Sequence, residues 1–251
     1  MMGVRLPLPA QMAEHCVKKL GIVSAPELGE KVLLTHTMEC ATETIKTEII
    51  SFSINNGGSI AVRISGFGSL GKSSLATNIL SKFPYASLIH TDRVMPDREE
   101  RKKRGLPNGD DPAVLRFELL QQAVKELSSG NSVDDIVYNH VTGKHNSVGK
   151  IFPSNLIIIE GACALYSQLN LPIPSFGIFL DADQETKIQL RHMVNTTERG
   201  YDEKRSLESM DGYLDSYNKF ILPSKSNAKI SFTIGLDYSY SSPSIINCSC
   251  K

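Results

Sequence analysis

The stretch Gly66-Phe67-Gly68-Ser69-Leu70-Gly71-Lys72-Ser73 limits what this chain can fold into more than any other. A glycine, four arbitrary residues and then Gly-Lys-Ser is the pattern of a loop that cradles phosphate. The bare pattern arises by chance in about 1% of chains of this length at average residue frequencies, so its flanks decide. Before it, Ser59-Ile60-Ala61-Val62-Arg63-Ile64-Ser65 reads as a buried strand; after it, Ser74-Leu75-Ala76-Thr77-Asn78-Ile79-Leu80 reads as a helix start. Glycines let the backbone curl so that its N–H groups point at phosphate oxygens, and the helix N-terminus adds a positive dipole end. Gly66, Gly68, Ser69, Gly71, Lys72, Ser73 and Ser74 are therefore candidate phosphate-binding residues. Lys72 would reach the β- and γ-phosphates, and the Ser73 hydroxyl would sit on Mg²⁺.

The 251 residues suffice for one α/β domain with a sizeable core plus an extension. The formal net charge is zero, which argues against a general nucleic-acid binder. No apolar run approaches the roughly 20 residues of a membrane span. Residues 1–20 lack a charged start followed by an apolar core, so no secretory signal is expected and the expected location is cytoplasmic. Cys16, Cys40, Cys163, Cys248 and Cys250 form no C-x-x-C pair and read as reduced thiols, the last two on a loose tail.

Along the chain, residues 1–57 read as an extension, 58–235 as the main domain and 236–251 as a tail. Residues 11–20 could form a short helix. Residues 31–35 and 47–54 are β-rich, the latter pairing with 59–65 across Asn55-Asn56-Gly57-Gly58. Residues 86–92 read as a strand ending in Asp92. The charged run Arg98 to Arg104 reads as a solvated loop or short helix, or else as a flap over an anionic ligand. Asp111 and Pro112 open a helix through Leu127. Residues 155–160 and 175–181 are continuous apolar runs ending in Glu160 and Asp181, the look of central parallel strands. Residues 185–197 and about 207–220 read as helices. Strands alternating with helices predict a three-layer α/β fold with a mostly parallel sheet and ligands at the strand carboxyl ends. Phosphoryl transfer needs a metal holder and a base for the attacking hydroxyl, and Glu160 and Asp92 are the natural candidates.

In this order the motifs resemble the uridine kinase and phosphoribulokinase family of P-loop kinases, most closely its uridine-cytidine kinases. After the phosphate loop, His90-Thr91-Asp92 matches the strand end bearing the family's catalytic aspartate. Asn108-Gly109-Asp110-Asp111-Pro112 resembles Asn-Phe-Asp-His-Pro, whose first aspartate binds sugar hydroxyls, so the resemblance gives Asp110 that role. Val137-Tyr138-Asn139 resembles Ile-Tyr-Asp, placing Tyr138 and Asn139 in the acceptor pocket. Residues 156–161 resemble the strand ending in Glu-Gly, which gives Glu160 a magnesium role. Residues 180–183, Arg191 and Glu198-Arg199-Gly200 resemble a short lid whose arginines grip phosphates, and 222–225 resemble Leu-Pro-Thr-Lys. The resemblance implies a P-loop kinase fold, the cofactors ATP and Mg²⁺, and transfer of the γ-phosphoryl group to a hydroxyl of a small molecule, a nucleoside first. It implies no nucleic-acid or membrane partner and leaves a homo-oligomer open.

The departures lie in the pocket and lid. Gly143 stands where the family has a histidine on the base, with His140 or His145 as replacements, and Asn139 stands where it has an aspartate. In the lid, Arg191 and Arg199 match, while Val194 and Tyr201 stand where further arginines would be; Val cannot supply the planar fork that binds phosphate. Lys204 and Arg205 are possible substitutes. The alternatives are a kinase for another acceptor, such as a sugar phosphate or specialised metabolite, and a nucleotide-binding protein without catalysis.

Overall fold

Five parallel strands form the frame that holds the site. The computed structural model describes residues 34–107 and 109–245; the helix read over 11–20, and Cys16, Asn108, Cys248 and Cys250, lie outside the described residues. The strands are β1 (Leu34–His36), β2 (Ile60–Gly66), β3 (Ser87–His90), β4 (Val133–Asn139), β5 (Lys144–Ile151), β6 (Leu156–Glu160), β7 (Ser175–Asp181), β8 (Ile230–Thr233), β9 (Tyr240–Ser241) and β10 (Ser244–Ile245). The α-helices are α1 (Met38–Asn56), α2 (Lys72–Lys82), α3 (Arg98–Lys103), α4 (Phe117–Ser128), α5 (Gln184–Thr197), α6 (Glu203–Glu208) and α7 (Met210–Ser216). The main sheet runs β10-β8-β7-β2-β6-β3. All its pairings are parallel except that of β10 with β8.

The central strands are covered on both faces, which is why they read as unbroken apolar runs. Ile60, Ala61, Val62 and Ile64 of β2, Ile157 to Ile159 of β6, and Phe176, Ile178, Phe179 and Leu180 of β7 are all buried. Their register brings the carboxyl ends together: Ile64 pairs with Glu160, Glu160 with His90, and Gly66 with Leu180. The phosphate loop thus leaves the sheet beside the acids that end its neighbours.

The strand read over 47–54 is instead the second half of helix α1. Thr37 caps its start by accepting from the Cys40 N–H, and Ala41, Thr42, Ile45 and Ile49 form a buried face at helical spacing. Thr47, Ile49, Ile50 and Ile54 misled because they are β-branched. Here Thr42, Thr44 and Thr47 donate their hydroxyls to the carbonyls of Met38, Cys40 and Glu43, four residues back, which a helix accommodates. Lys82 of α2 forms ion pairs with Glu39 and Glu43, joining α1 to the helix that follows the phosphate loop.

Three further readings shift. Asp111 does cap, its Oδ1 accepting from the Ala113 N–H at 2.9 Å. The turn it opens is a 3₁₀ turn of Pro112–Val114, with Val114 and Leu115 buried, and the α-helix begins only at Phe117. The helix read over 207–220 is α7 followed by a π-turn, Tyr217–Ile221, which buries the Tyr217 ring and lets its hydroxyl donate to Asp181. The β4–β5 hairpin carried no signal in the sequence, because most of its residues are exposed or half-buried and no strict alternation marks a core face. Residues 236–245, read as tail, supply β9 and β10, and β9 pairs with β1. Among the described residues no helix is long and apolar enough to cross a membrane.

Candidate active site

The carboxyl edge of the sheet opens into a cavity of about 1140 Å³. A pocket for one small ligand is usually about 300–1,000 Å³, so this one has room for a donor and an acceptor. Its wall includes Gly68, Ser69, Gly71, Lys72, Ser73, Ser74, Asp92, Asp110, Tyr138, Glu160, Arg191 and Arg199. These are nearly all the residues singled out in the sequence. Gly66 lies beneath, at the end of β2, and Asn139 is turned away: its Oδ1 accepts from the Val141 and Thr142 N–H groups and closes the hairpin turn.

On one side of the cavity the glycine loop passes close under the lid. A Cβ on Gly68 would lie 1.9 Å from Arg191 Nη1, so only glycine lets that guanidinium settle on the loop. Helix α2 starts at Gly71 with no side-chain cap, leaving its first N–H groups for an anion. Lys72 is buried and donates to the Phe67 carbonyl at 2.7 Å. Burial pulls its ammonium below the ordinary lysine value, against the raising influence of Glu160, Asp110 and Asp92. Ser73 Oγ donates to Glu160 Oε1 at 3.0 Å, and His90 Nδ1 lies 2.5 Å from the same oxygen. The hydrogen bond to Glu160, which accepts, holds the His90 imidazole above its ordinary value. The Ser73–Glu160 pair fits Mg²⁺, which is usually held by one or two protein oxygens with water and substrate phosphates completing the shell. Among the described residues no cluster of three or more His, Cys, Asp or Glu side chains could hold a metal alone.

Arg191 is almost fully buried, stacks over the Tyr213 ring at 3.8 Å and faces Asp110 at 3.6 Å. Burial alone would lower it; Asp110 and Tyr213 outweigh that and raise it above its ordinary value. Val194 and Tyr201, at two lid positions where the family carries arginine, also line the cavity. Lys204 forms an exposed pair with Glu208, and Arg205 lies over the Tyr201 ring at 3.8 Å.

On the other side the β4–β5 hairpin and α3 close over Asp92. His140 Nε2 is 3.2 Å from Asp92 Oδ2, and His145 Nε2 is 3.1 Å from the Asp92 main-chain oxygen. Burial would raise the Asp92 carboxyl; the hydrogen bond and charge of His140, with Arg199 and Lys72, more than reverse this and hold it below the ordinary aspartate value. Arg98 donates to the main-chain oxygens of His140 and Val141. Its side chain lies where a residue larger than glycine at 143 would stand: a Cβ there would be 2.6 Å from Arg98 Cβ. The missing side chain at Gly143 thus leaves the room that Arg98 fills. Arg101 donates to the Tyr138 hydroxyl at 2.9 Å. Two contributors had no local signal. Tyr238, beyond the main domain as read from sequence, donates to the Ser69 carbonyl at 3.3 Å, and His36 with Thr37 reaches the cavity from the other terminus.

Strand, glycine loop, helix and flanking acids on a parallel sheet define a P-loop fold. The chain belongs to the Phosphoribulokinase / Uridine kinase family, whose sequence model matches residues 62–238. It is 28% identical to a phosphoribulokinase of Synechocystis over 68% of this chain and 52% of that protein. It is 32% identical to a uridine kinase of Streptococcus pyogenes over 68% of this chain and 85% of that one. The chain thus spans about half the length of the cyanobacterial relative and about a third of several chloroplast phosphoribulokinases. A D-glycerate 3-kinase of Cryptococcus neoformans shares the fold, with a TM-score of 0.62 at 10% identity over 83% of this chain and 98% of that one.

Proposed function

We propose that the protein transfers the γ-phosphoryl group of ATP to a hydroxyl of a small molecule. The observation that carries this reading is the shared cavity of Lys72, Ser73, Glu160 and Asp92, with Arg191 and Arg199 on its lid wall. The loop N–H groups and Lys72 would hold the donor phosphates, Lys72 exchanging the Phe67 carbonyl for a phosphate oxygen. Ser73 and Glu160 would hold Mg²⁺, which when bound supplies charge neutralisation on the phosphate oxygens. Asp92, kept ionised, would take the proton of the acceptor hydroxyl as its oxygen bonds to phosphorus and ADP leaves. Arg191 and Arg199 would offset charge on the transferring group, and Asp110 and Tyr138 would orient the acceptor. Most of the rate would come from positioning and preorganised charge.

A uridine-like nucleoside is the acceptor the resemblance implies. A second reading, a phosphate-bearing sugar, is favoured by α3: Arg98 and Arg101 both line the acceptor end. Arg101 Nη1 is buried with no hydrogen-bond partner among the described residues. The test is ADP formation from Mg-ATP with nucleosides, pentose 5-phosphates and small alcohols, with Asp92→Asn as the blank. Turnover with one acceptor class and none in the blank supports the reading and names the class. Tight Mg-ATP binding with no turnover on any acceptor replaces it with nucleotide binding alone.

A further inference from the structure

The proposed base, Asp92, is gripped by a segment that has no part in phosphate binding. The hairpin turn presents His140 Nε2 to Asp92 Oδ2 at 3.2 Å. A carboxylate only accepts hydrogen bonds, so a proton shared across this contact comes from Nε2. His145 on β5 holds the Asp92 main-chain oxygen at 3.1 Å through Nε2 and is itself anchored by Nδ1 on Asp97 Oδ1 at 2.7 Å. The Tyr138 ring lies edge-on to both histidines, 5.1 Å from each. Arg98 fixes the turn by donating to the His140 and Val141 carbonyls.

We infer that His140 is a positioning residue for the proposed phosphoryl transfer: by occupying Oδ2 of Asp92 it leaves Oδ1 as the oxygen that takes the acceptor proton. The inference rests on the reading of Asp92 as the base. The acceptor O–H bond breaks, its proton binds Oδ1, and its electron pair forms the new bond to phosphorus while the β–γ bridging oxygen leaves with ADP. Other titratable or charged groups facing Asp92 are Arg199 from the lid, Lys72 from α2, His145 from β5, His90 from β3 and Cys163 beyond β6. Among the described residues, His140 is the one whose side chain lies within ion-pair range of an Asp92 carboxylate oxygen.

The test pairs His140→Ala with His140→Gln, whose amide can still donate to Oδ2. Each is assayed with Mg-ATP and either uridine or pentose 5-phosphates, and the Asp92 ¹³Cγ resonance is titrated in each free protein. His140→Ala should lower kcat about tenfold to a hundredfold with the KM for Mg-ATP unchanged, and His140→Gln should recover most of it. The Asp92 carboxyl should titrate at higher pH in His140→Ala than in the native protein. Full kcat in His140→Ala, or an Asp92 titration that does not move, overturns the inference. The titration needs no acceptor, so it decides the pairing even where turnover fails. Full activity in Asp92→Asn would instead sink the assignment of the base itself.

Discussion

At the proposed donor end of the cavity the lining groups come from one short stretch, Gly68 to Ser74, backed by acids near neighbouring strand ends. At the acceptor end they come from the turn after β3, from α3, from Asp110, from a hairpin about fifty residues after Asp92, and from the lid. The first is set by local geometry: a strand, a tight turn and a helix fix where N–H groups and Lys72 point. The second exists only once segments far apart in sequence have packed. A site of this kind keeps its donor chemistry while its acceptor chemistry is free to vary, because changes in the hairpin or α3 leave the loop untouched.

The sharpest break of that comparison is Lys72→Ala. It should cost about a hundredfold or more in kcat/KM, with weaker Mg-ATP binding, whichever acceptor is used. Unchanged kinetics would remove the loop from the account. Next in size, Asp181→Asn should lower unfolding free energy by about 2 kcal/mol at neutral pH. Burial would raise this carboxyl, but donation from the Tyr217 hydroxyl, the Lys187 charge, the Ala182 N–H and the Lys225 charge hold it below its ordinary value. A folded-state value lowered in this way stabilises the protein above the unfolded carboxyl range near pH ~4, and the stabilisation is lost as pH falls through the lower folded value. Denaturation of the native and Asp181→Asn proteins should therefore converge in acid, and a constant gap would contradict the assignment.

Arg101→Gln acts at the other end. It should raise the acceptor KM about tenfold for a phosphate-bearing acceptor, roughly 1.4 kcal/mol, with the Mg-ATP KM unchanged. For a neutral nucleoside the change should be much smaller, so this variant also separates the two acceptor classes. Smallest is Tyr238→Phe, which removes one hydrogen bond to the Ser69 carbonyl. Mg-ATP affinity by calorimetry should fall by about 0.5–1 kcal/mol.

What could be read in the sequence follows the same division. The phosphate loop, Asp92 and Glu160 were legible because each sits at a strand end whose apolar run announces it, and the structure brings all of them to one cavity. The second half of helix α1 was misread because Thr47, Ile49, Ile50 and Ile54 favour strands in isolation, while the Ile45 and Ile49 face that decides the matter gains its value only by packing. The hairpin gave no periodic signal because, of its strand residues, only Tyr138 and Ile151 are buried. Asn139 was placed in the pocket by analogy, but Asn readily closes turns, and here it does. Tyr238 could not have been found, since nothing near it in sequence predicts contact with residues about 170 positions earlier.

The most direct test of the central claim is to measure Mg-ATP affinity and acceptor phosphorylation side by side for the native protein and Asp92→Asn. A working base beside an independent donor site predicts phosphorylation at least about a hundredfold slower in Asp92→Asn, with the Mg-ATP Kd within about threefold of native. Phosphorylation that survives the substitution, or Mg-ATP binding lost in step with it, would contradict the account.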